Sequence, residues 1–246
     1  MTGTFNTNIL TINSMSTKSS IVKAPTETAR TEQKLETRRR ILDAAILVFG
    51  RDGILKATTS DIAKEAGVAH GSVFAHFGSQ EALVVAALDD FGEAMARRLH
   101  ETMRRGAGTR EVLAAHLAGI REHEDFYACL AAESSLLSAE ARNSLVLMQS
   151  AIAFHLAPAI EADRKARRIK AMSLSMLFNT WLGLIHYYLA NRELFSPGES
   201  VIDARGQELL DHFMSLISIG GKDEREPDAG IQGRGARGRT GLRRTH

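Results

Sequence analysis

Between residues 31 and 220 the apolar residues recur at helical spacing, and nowhere do they alternate as a half-buried strand requires. A chain built this way must bury its apolar stripes helix against helix, so the expected fold class is all-α. Residues 33–52 set Leu35, Ile41, Leu42, Ala45, Val48 and Phe49 along one stripe. Short periodic segments follow at 59–66 and 70–77, and a long one runs from Ser79 to about Arg105. Gly106 and Gly108 break it, and Thr109 is a good cap for the next helix. Further helices are expected over 109–121, 123–136 and 138–163, with Pro158 kinking or ending the last. Residues 166–193 form another, and after the turn Ser196-Pro197-Gly198 a final helix spans 201–219, opened by Ser200 and Asp203 in a capping-box arrangement.

Composition narrows the class further. The 31 basic and 29 acidic residues leave a net charge of +2, so any nucleic-acid surface must be local and not a bulk positive field. Cys129, the single cysteine, has no intramolecular partner, which fits a reducing compartment. Residues 1–28 carry no apolar core of a signal peptide. The most membrane-like stretch, Leu174 to Ala190, contains Asn179, Thr180 and His186 and falls short of the about 20 apolar residues a bilayer span needs. No membrane association is expected, and a cytoplasmic location is. Residues 1–30 read as a flexible arm. Residues 221–246 read as a disordered Gly/Arg-rich tail, whose Gly233, Gly235 and Gly238 have GxGxxG spacing without the flanking strand and helix a dinucleotide loop needs.

The informative stretch runs from Arg38 to Leu83. Thr58 or Thr59 can cap a second helix, with Asp61 in its first turn favourable to the helix dipole. Gly67 supplies the left-handed residue that ends this helix, Val68 plugs the core, and a third helix starts near Ala69 or His70. Two short helices joined by a glycine turn are a helix-turn-helix, and Ala63 and Ala66 let them approach closely. Residues His70 to Phe77 would enter the major groove, with Val73 and Phe77 inward and Phe74 and His76 on the outer side. Ser79 can cap the fourth helix, whose free amides could hold a phosphate.

This run, RRRILDAAILVFGRDGILKATTSDIAKEAGVAHGSVFAHFGSQEAL, resembles the DNA-binding region of the tetracycline-repressor (TetR) family. The DIAKEAGV core, the aromatic-x-HF element at Phe74 to Phe77 and the Ser-x-Glu-x-Leu that follows occur in order; the remainder of the chain is similar only in its helical character. The resemblance implies a helix-turn-helix domain over 31–78 and an effector-binding and dimerisation domain over 79–220. It implies three partners: double-stranded operator DNA, a second copy of the chain, and a small-molecule effector, here unidentified. By position it assigns DNA contact to Thr59, Ser60, His70, Gly71, Ser72, Phe74, His76 and Gln80, and Arg39 joins them as a phosphate contact from the first helix. Phe74 stands where the family often has Tyr, Gln80 where it often has Lys, and Ala69 where a capping Ser is frequent. For the arginines at 38–40, phosphate attraction and an ordinary solvated face are both open readings.

In the body, Phe126, Tyr127, Leu130, Met148, Phe154, His155 and Phe178 are candidates to line a mixed apolar pocket, or to be plain core. Trp181, Ile185 and Tyr188 with Leu209, Phe213, Leu216 and Ile217 are candidates for a four-helix dimer interface. The long helix after Ser79 would carry a ligand-driven shift to the DNA-binding domain, with Gly92 permitting a bend. His116 and His123, with Glu122 and Glu124 nearby, lack the further ligands of a metal site; no metal and no cofactor is expected. No nucleophile motif appears, so an enzyme is not expected. The expected function is a DNA-binding transcriptional regulator, a repressor released from a near-palindromic operator by its effector. The alternative is an all-helical carrier or enzyme with a degenerate helix-turn-helix.

Overall fold

The computed structural model describes residues 27–220. Its helices are α1 (Glu27–Asp52), α2 (Thr59–Ala66), α3 (His70–Phe77), α4 (Gln80–Arg104), α5 (Thr109–Arg121), α6 (Glu124–Glu133), α7 (Ala139–Lys165), α8 (Leu174–Ala190), α9 (Arg192–Phe195) and α10 (Val201–Ile217), with a 3₁₀ turn at Ser134–Leu136. The fold is all-α: α1 to α3 form an N-terminal unit, and α4 to α10 form a larger helical body. One hydrophobic core runs through both, from Ile41 and Phe49 to Trp181 and Phe213.

Capping chemistry explains the boundaries. The hydroxyl of Thr58 accepts from the backbone N–H of Asp61 at the start of α2, and Gly67 ends that helix with φ 63°. Ser79, Ser138, Ser173 and Ser200 each accept a backbone N–H at the starts of α4, α7, α8 and α10. Glu124 adds a carboxylate to the last of these, accepting from the N–H groups of Val201 at 2.6 Å and Ile202 at 3.3 Å.

Several boundaries depart from the sequence reading. Helix α1 begins at Glu27, inside the segment read as an arm; residues 1–26 and the tail 221–246 lie outside the described residues. The segment 123–136 divides into α6 and the 3₁₀ turn. Pro158 lies within α7, which runs on to Lys165. It sits on the exposed side of that helix. Residues 166–173 are not helical. Arg167 takes a left-handed φ of 55°, and the chain runs extended beside the end of α10, Lys170 N–H donating to Ile217 and Ile219 N–H to Arg168. Asp163 pins this corner: it accepts from Thr109 N–H at 2.9 Å and pairs with Arg168 at 2.5 Å. Among the described residues α7, not the 174–190 segment, is the helix long and apolar enough to span a bilayer by length and composition alone. It packs along α4, α5 and α8.

The expected dimer residues require correction. Trp181, Ile185, Leu209, Phe213 and Ile217 are buried inside the single chain, with the Trp181 and Phe213 rings 5.0 Å apart. They hold α8 on α10 and are unavailable to a second copy. Of the seven, only Leu216 is exposed, at 46%, and Tyr188 is half-buried. Gly92 is likewise no hinge: it is buried, and a Cβ there would meet Met148 Cγ at 2.8 Å. Its lack of a side chain lets α4 and α7 approach closely.

Candidate nucleic-acid interface and the cavity behind it

Helix α3 presents His70, Gly71, Phe74 and Ala75 to solvent, with Ser72 and His76 half-buried and Val73 fully inward. Ala69 provides no side-chain cap, and within the first turn of α3 its carbonyl accepts the N–H of Ser72 at 2.8 Å. A Cβ on Gly71 would meet nothing within 4 Å, which leaves the backbone there accessible from outside. His70 stands edge-on to Phe74, with ring centroids 5.1 Å apart, and its Nε2 shares a 2.9 Å hydrogen bond with the hydroxyl of Thr59. That bond locks the first residue of α3 to the first residue of α2. Ser60, beside it, is exposed.

Three assigned contacts have other work. Thr59 is only 8% exposed, and its hydroxyl is engaged by His70, so it braces α3 from within. Arg39 pairs with Asp43 at 2.8 Å and Asp90 at 2.6 Å, tying α1 to α4. Gln80 donates through Nε2 to the carbonyl of Ala57 at 2.7 Å, fastening the loop before α2. His76 packs beside Phe77 at 6.4 Å between centroids. The rest of the arginine trio is also engaged: Arg38 lies 4.4 Å over the Phe77 ring, and Arg40 donates to the carbonyls of Ala66 and Gly67 at the end of α2. Lys56 and Lys64, which the motif reading passed over, are exposed and in no ion pair among the described residues. Their signal in the sequence was only that they are lysines flanking and ending α2.

Helix α6 joins this unit to the body. The Phe126 and Phe49 rings stack at 6.3 Å, Cys129 Sγ donates to the carbonyl of Gly50 at 3.5 Å, and Glu133 accepts from Leu55 N–H at 2.9 Å. Gly50 is required here: a Cβ would fall 2.8 Å from the backbone nitrogen of Phe126. Burial holds the Cys129 thiol above its ordinary value, which keeps it protonated.

The opposite face of α6 borders a cavity of about 310 Å³ between α6, α7 and α8, lined among others by Tyr127, Leu130, Arg142, Leu145 and His186. The Tyr127 hydroxyl and His186 Nε2 lie 3.0 Å apart. Burial raises the Tyr127 phenol and lowers the His186 imidazole, so both are neutral. Behind them Trp181 Nε1 donates to His116 Nδ1 at 3.1 Å. Burial, then repulsion from His186, holds the His116 pKa down to about 3. His116 therefore carries its proton on Nε2, a buried donor without an acceptor among the described residues. Sequence reasoning missed the Arg142, His186 and His116–Trp181 elements, because residues 59 and 65 positions apart meet only in the fold.

Of the seven expected pocket residues, Tyr127 and Leu130 line this cavity. Phe126 borders a separate hollow between α1, α6 and the 192–203 segment. Met148 and Phe178 are core. Phe154 is 74% exposed and points away, and its neighbour His155 packs against His100 instead, 5.9 Å between centroids.

A short helix exposed at its first turn, braced by a preceding helix across a glycine turn and mounted on a helical body, defines a helix-turn-helix protein. Residues 41–87 match the family model of bacterial regulatory proteins, tetR family. A 62-residue stretch is 40% identical to the HTH-type transcriptional regulator TtgR of Pseudomonas putida, covering 25% of this chain and 30% of that protein. An 80-residue stretch is 39% identical to an HTH-type transcriptional repressor of Mycobacterium tuberculosis, covering 30% of this chain and 43% of its length. The chain thus aligns with less than half the length of these relatives. Among solved structures, E. coli NemR in its reduced form superposes with a TM-score of 0.60 at 22% identity, over 76% of this chain and 100% of that one. FadR of Bacillus subtilis, in complex with stearoyl-CoA, does so with a TM-score of 0.58 at 19% identity, over 72% and 97%. Residues 41–87 thus carry the DNA-binding module of the tetR family, on a fold shared with these solved structures.

Proposed function

We propose that the protein is a cytoplasmic, non-enzymatic transcriptional regulator that binds a near-palindromic operator as a homodimer and is released from it by a small molecule held in the helical body. The observation that carries this reading is the exposed first turn of α3, with His70 braced by Thr59 and Gly71 open to close approach. His70, Ser72 and Phe74 read base edges, and Ser60 and His76 flank them on the groove walls. Lys56 and Lys64 supply phosphate attraction in place of Arg39. The repressor of Mycobacterium tuberculosis supports the sign of regulation, and the FadR complex supports a ligand-holding body. The cavity and the DNA-binding unit share α6, whose two faces meet Tyr127's cavity and Gly50 of α1. A ligand that displaces α6 therefore moves the recognition helix, a more direct route than the bend in α4 expected at Gly92.

The test is selection of operator sequences from genomic DNA by the full chain, followed by gel shifts at several salt concentrations. Ser72→Ala is expected to relax preference at one base position by about 1–3 kcal/mol. Lys56→Ala is expected to weaken all sequences alike and to lower the salt slope by about one. Recovery of no preferred sequence overturns the reading.

A further inference from the structure

The cavity beside α6 has a one-sided charge pattern. Along α7, Arg142, Leu145, Val146 and Gln149 fall at i, i+3, i+4 and i+7, one face about 10 Å long. The connection between α6 and α7 brings Ser134 and Ser135 into the lining next to the first turn of α7, which carries Arg142, while Tyr127 and His186 enter it from α6 and α8 as a hydrogen-bonded pair. Arg142 is the cation of this lining, and no carboxylate lines it. Its guanidinium donates one N–H to the carbonyl of Leu137 and pairs with no acid among the described residues, so donors remain from its five. The lining also has apolar walls: Leu130 and Leu145 are buried, with Ala131 and Val146 beside them. The Tyr127–His186 pair is neutral, because burial keeps the Tyr127 phenol protonated and the His186 imidazole uncharged.

We propose that this cavity binds a small monocarboxylate with an apolar middle and a hydrogen-bonding group at its other end. The acid group lies in the fork of Arg142, and the far polar group joins the Tyr127–His186 pair. A planar guanidinium fits a carboxylate in two parallel hydrogen bonds, which a neutral amide does not reproduce. A second anionic group has no counter-charge in this lining, which excludes dianions. This inference rests on the reading of the body as an effector domain.

Isothermal titration of the full chain with trans-4-hydroxycinnamate, its amide and trans-cinnamate tests it. The acid is expected to bind at least about 10-fold tighter than the amide, and cinnamate, lacking the far hydroxyl, more weakly than hydroxycinnamate. Arg142→Gln is expected to abolish the preference for acid over amide while leaving the affinity for the amide unchanged. Equal binding of acid and amide, or a preference that survives Arg142→Gln, overturns the proposal. Operator binding is measured on the same preparations. A chain that binds DNA but takes the amide and not the acid loses the ligand class and keeps the effector cavity. One that binds DNA but none of the three compounds loses this proposal alone. One that binds neither DNA nor compound loses the regulatory reading with it.

Discussion

His116 shows how much one buried side chain can set. Its Nδ1 accepts from Trp181, and burial, with His186 behind it, keeps it from protonating until about pH 3. In the unfolded chain the same imidazole takes up a proton near its ordinary value of about 6.5. The folded state therefore holds its full stability above that value and loses it as pH falls from there toward 3. The loss approaches about 1.4 kcal/mol per pH unit for this one group. His186 and His155, also lowered by burial, act in the same direction. His116→Gln keeps an acceptor for Trp181 but cannot titrate. Urea unfolding at pH 7, 6, 5 and 4 is expected to show a shallower pH slope in the variant, and equal slopes would remove His116 from this role. The same lesson holds at Thr59, Arg39 and Gln80, whose residue types suit DNA contact and whose partners lie inside the protein.

At the scale of elements, α6 is the joint between the two parts of the molecule. Ring stacking, a thiol hydrogen bond and the Glu133 carboxylate bind it to α1 and the turn that follows. The approach is close enough that Gly50 admits no Cβ without moving the backbone of Phe126. Gly50→Ala would gain about 1 kcal/mol of helix propensity in α1. The overpacking costs about 1–3 kcal/mol, so the net effect is destabilising. A melting temperature several degrees below the parent is expected by calorimetry, and a variant as stable as the parent would show that α6 does not press on α1 there. The α6 joint was not legible in the sequence, where residues 123–136 read only as one further helix. What distinguishes it is the meeting of Gly50 and Leu55 with Phe126, Cys129 and Glu133 of α6, and that meeting is a tertiary fact.

At the scale of the whole molecule, the outer faces of α8 and α10 carry the proposed dimer. Met176, Tyr187 and Leu216 are exposed there, with Thr180 and Gly183 between the first two. Gly183 makes this testable, because a Cβ at that position would meet nothing within 4 Å. Gly183→Arg should leave the subunit folded, and slightly more helical by about 1 kcal/mol, while placing a long cation in the seam. Sedimentation is expected to show a folded monomer with operator affinity sharply reduced, since two half-sites are then no longer held together. A dimer that persists in this variant moves the interface elsewhere. Leu209→Glu or Phe213→Glu would not serve, because both side chains belong to the subunit's own core and their substitution would unfold it.

By itself the sequence determined the all-helical class and the two short helices of the helix-turn-helix, because these rest on local rules. Apolar spacing of 3.6 set α2 and α3 at 59–66 and 70–77, and Thr58, Gly67 and Ser79 marked their ends through hydrogen bonds only a few residues long. The tertiary structure alone decided which polar side chain was free. Arg39 was claimed by Asp90 and Gln80 by Ala57, across gaps of 51 and 23 residues. It also decided which apolar residue faced inward. Helices α8 and α10 are apolar on more than one side, so periodicity cannot say which stripe meets the subunit's core and which meets a partner. Only the packing of Trp181 on Phe213 turned one stripe inward and left Met176 and Tyr187 outside.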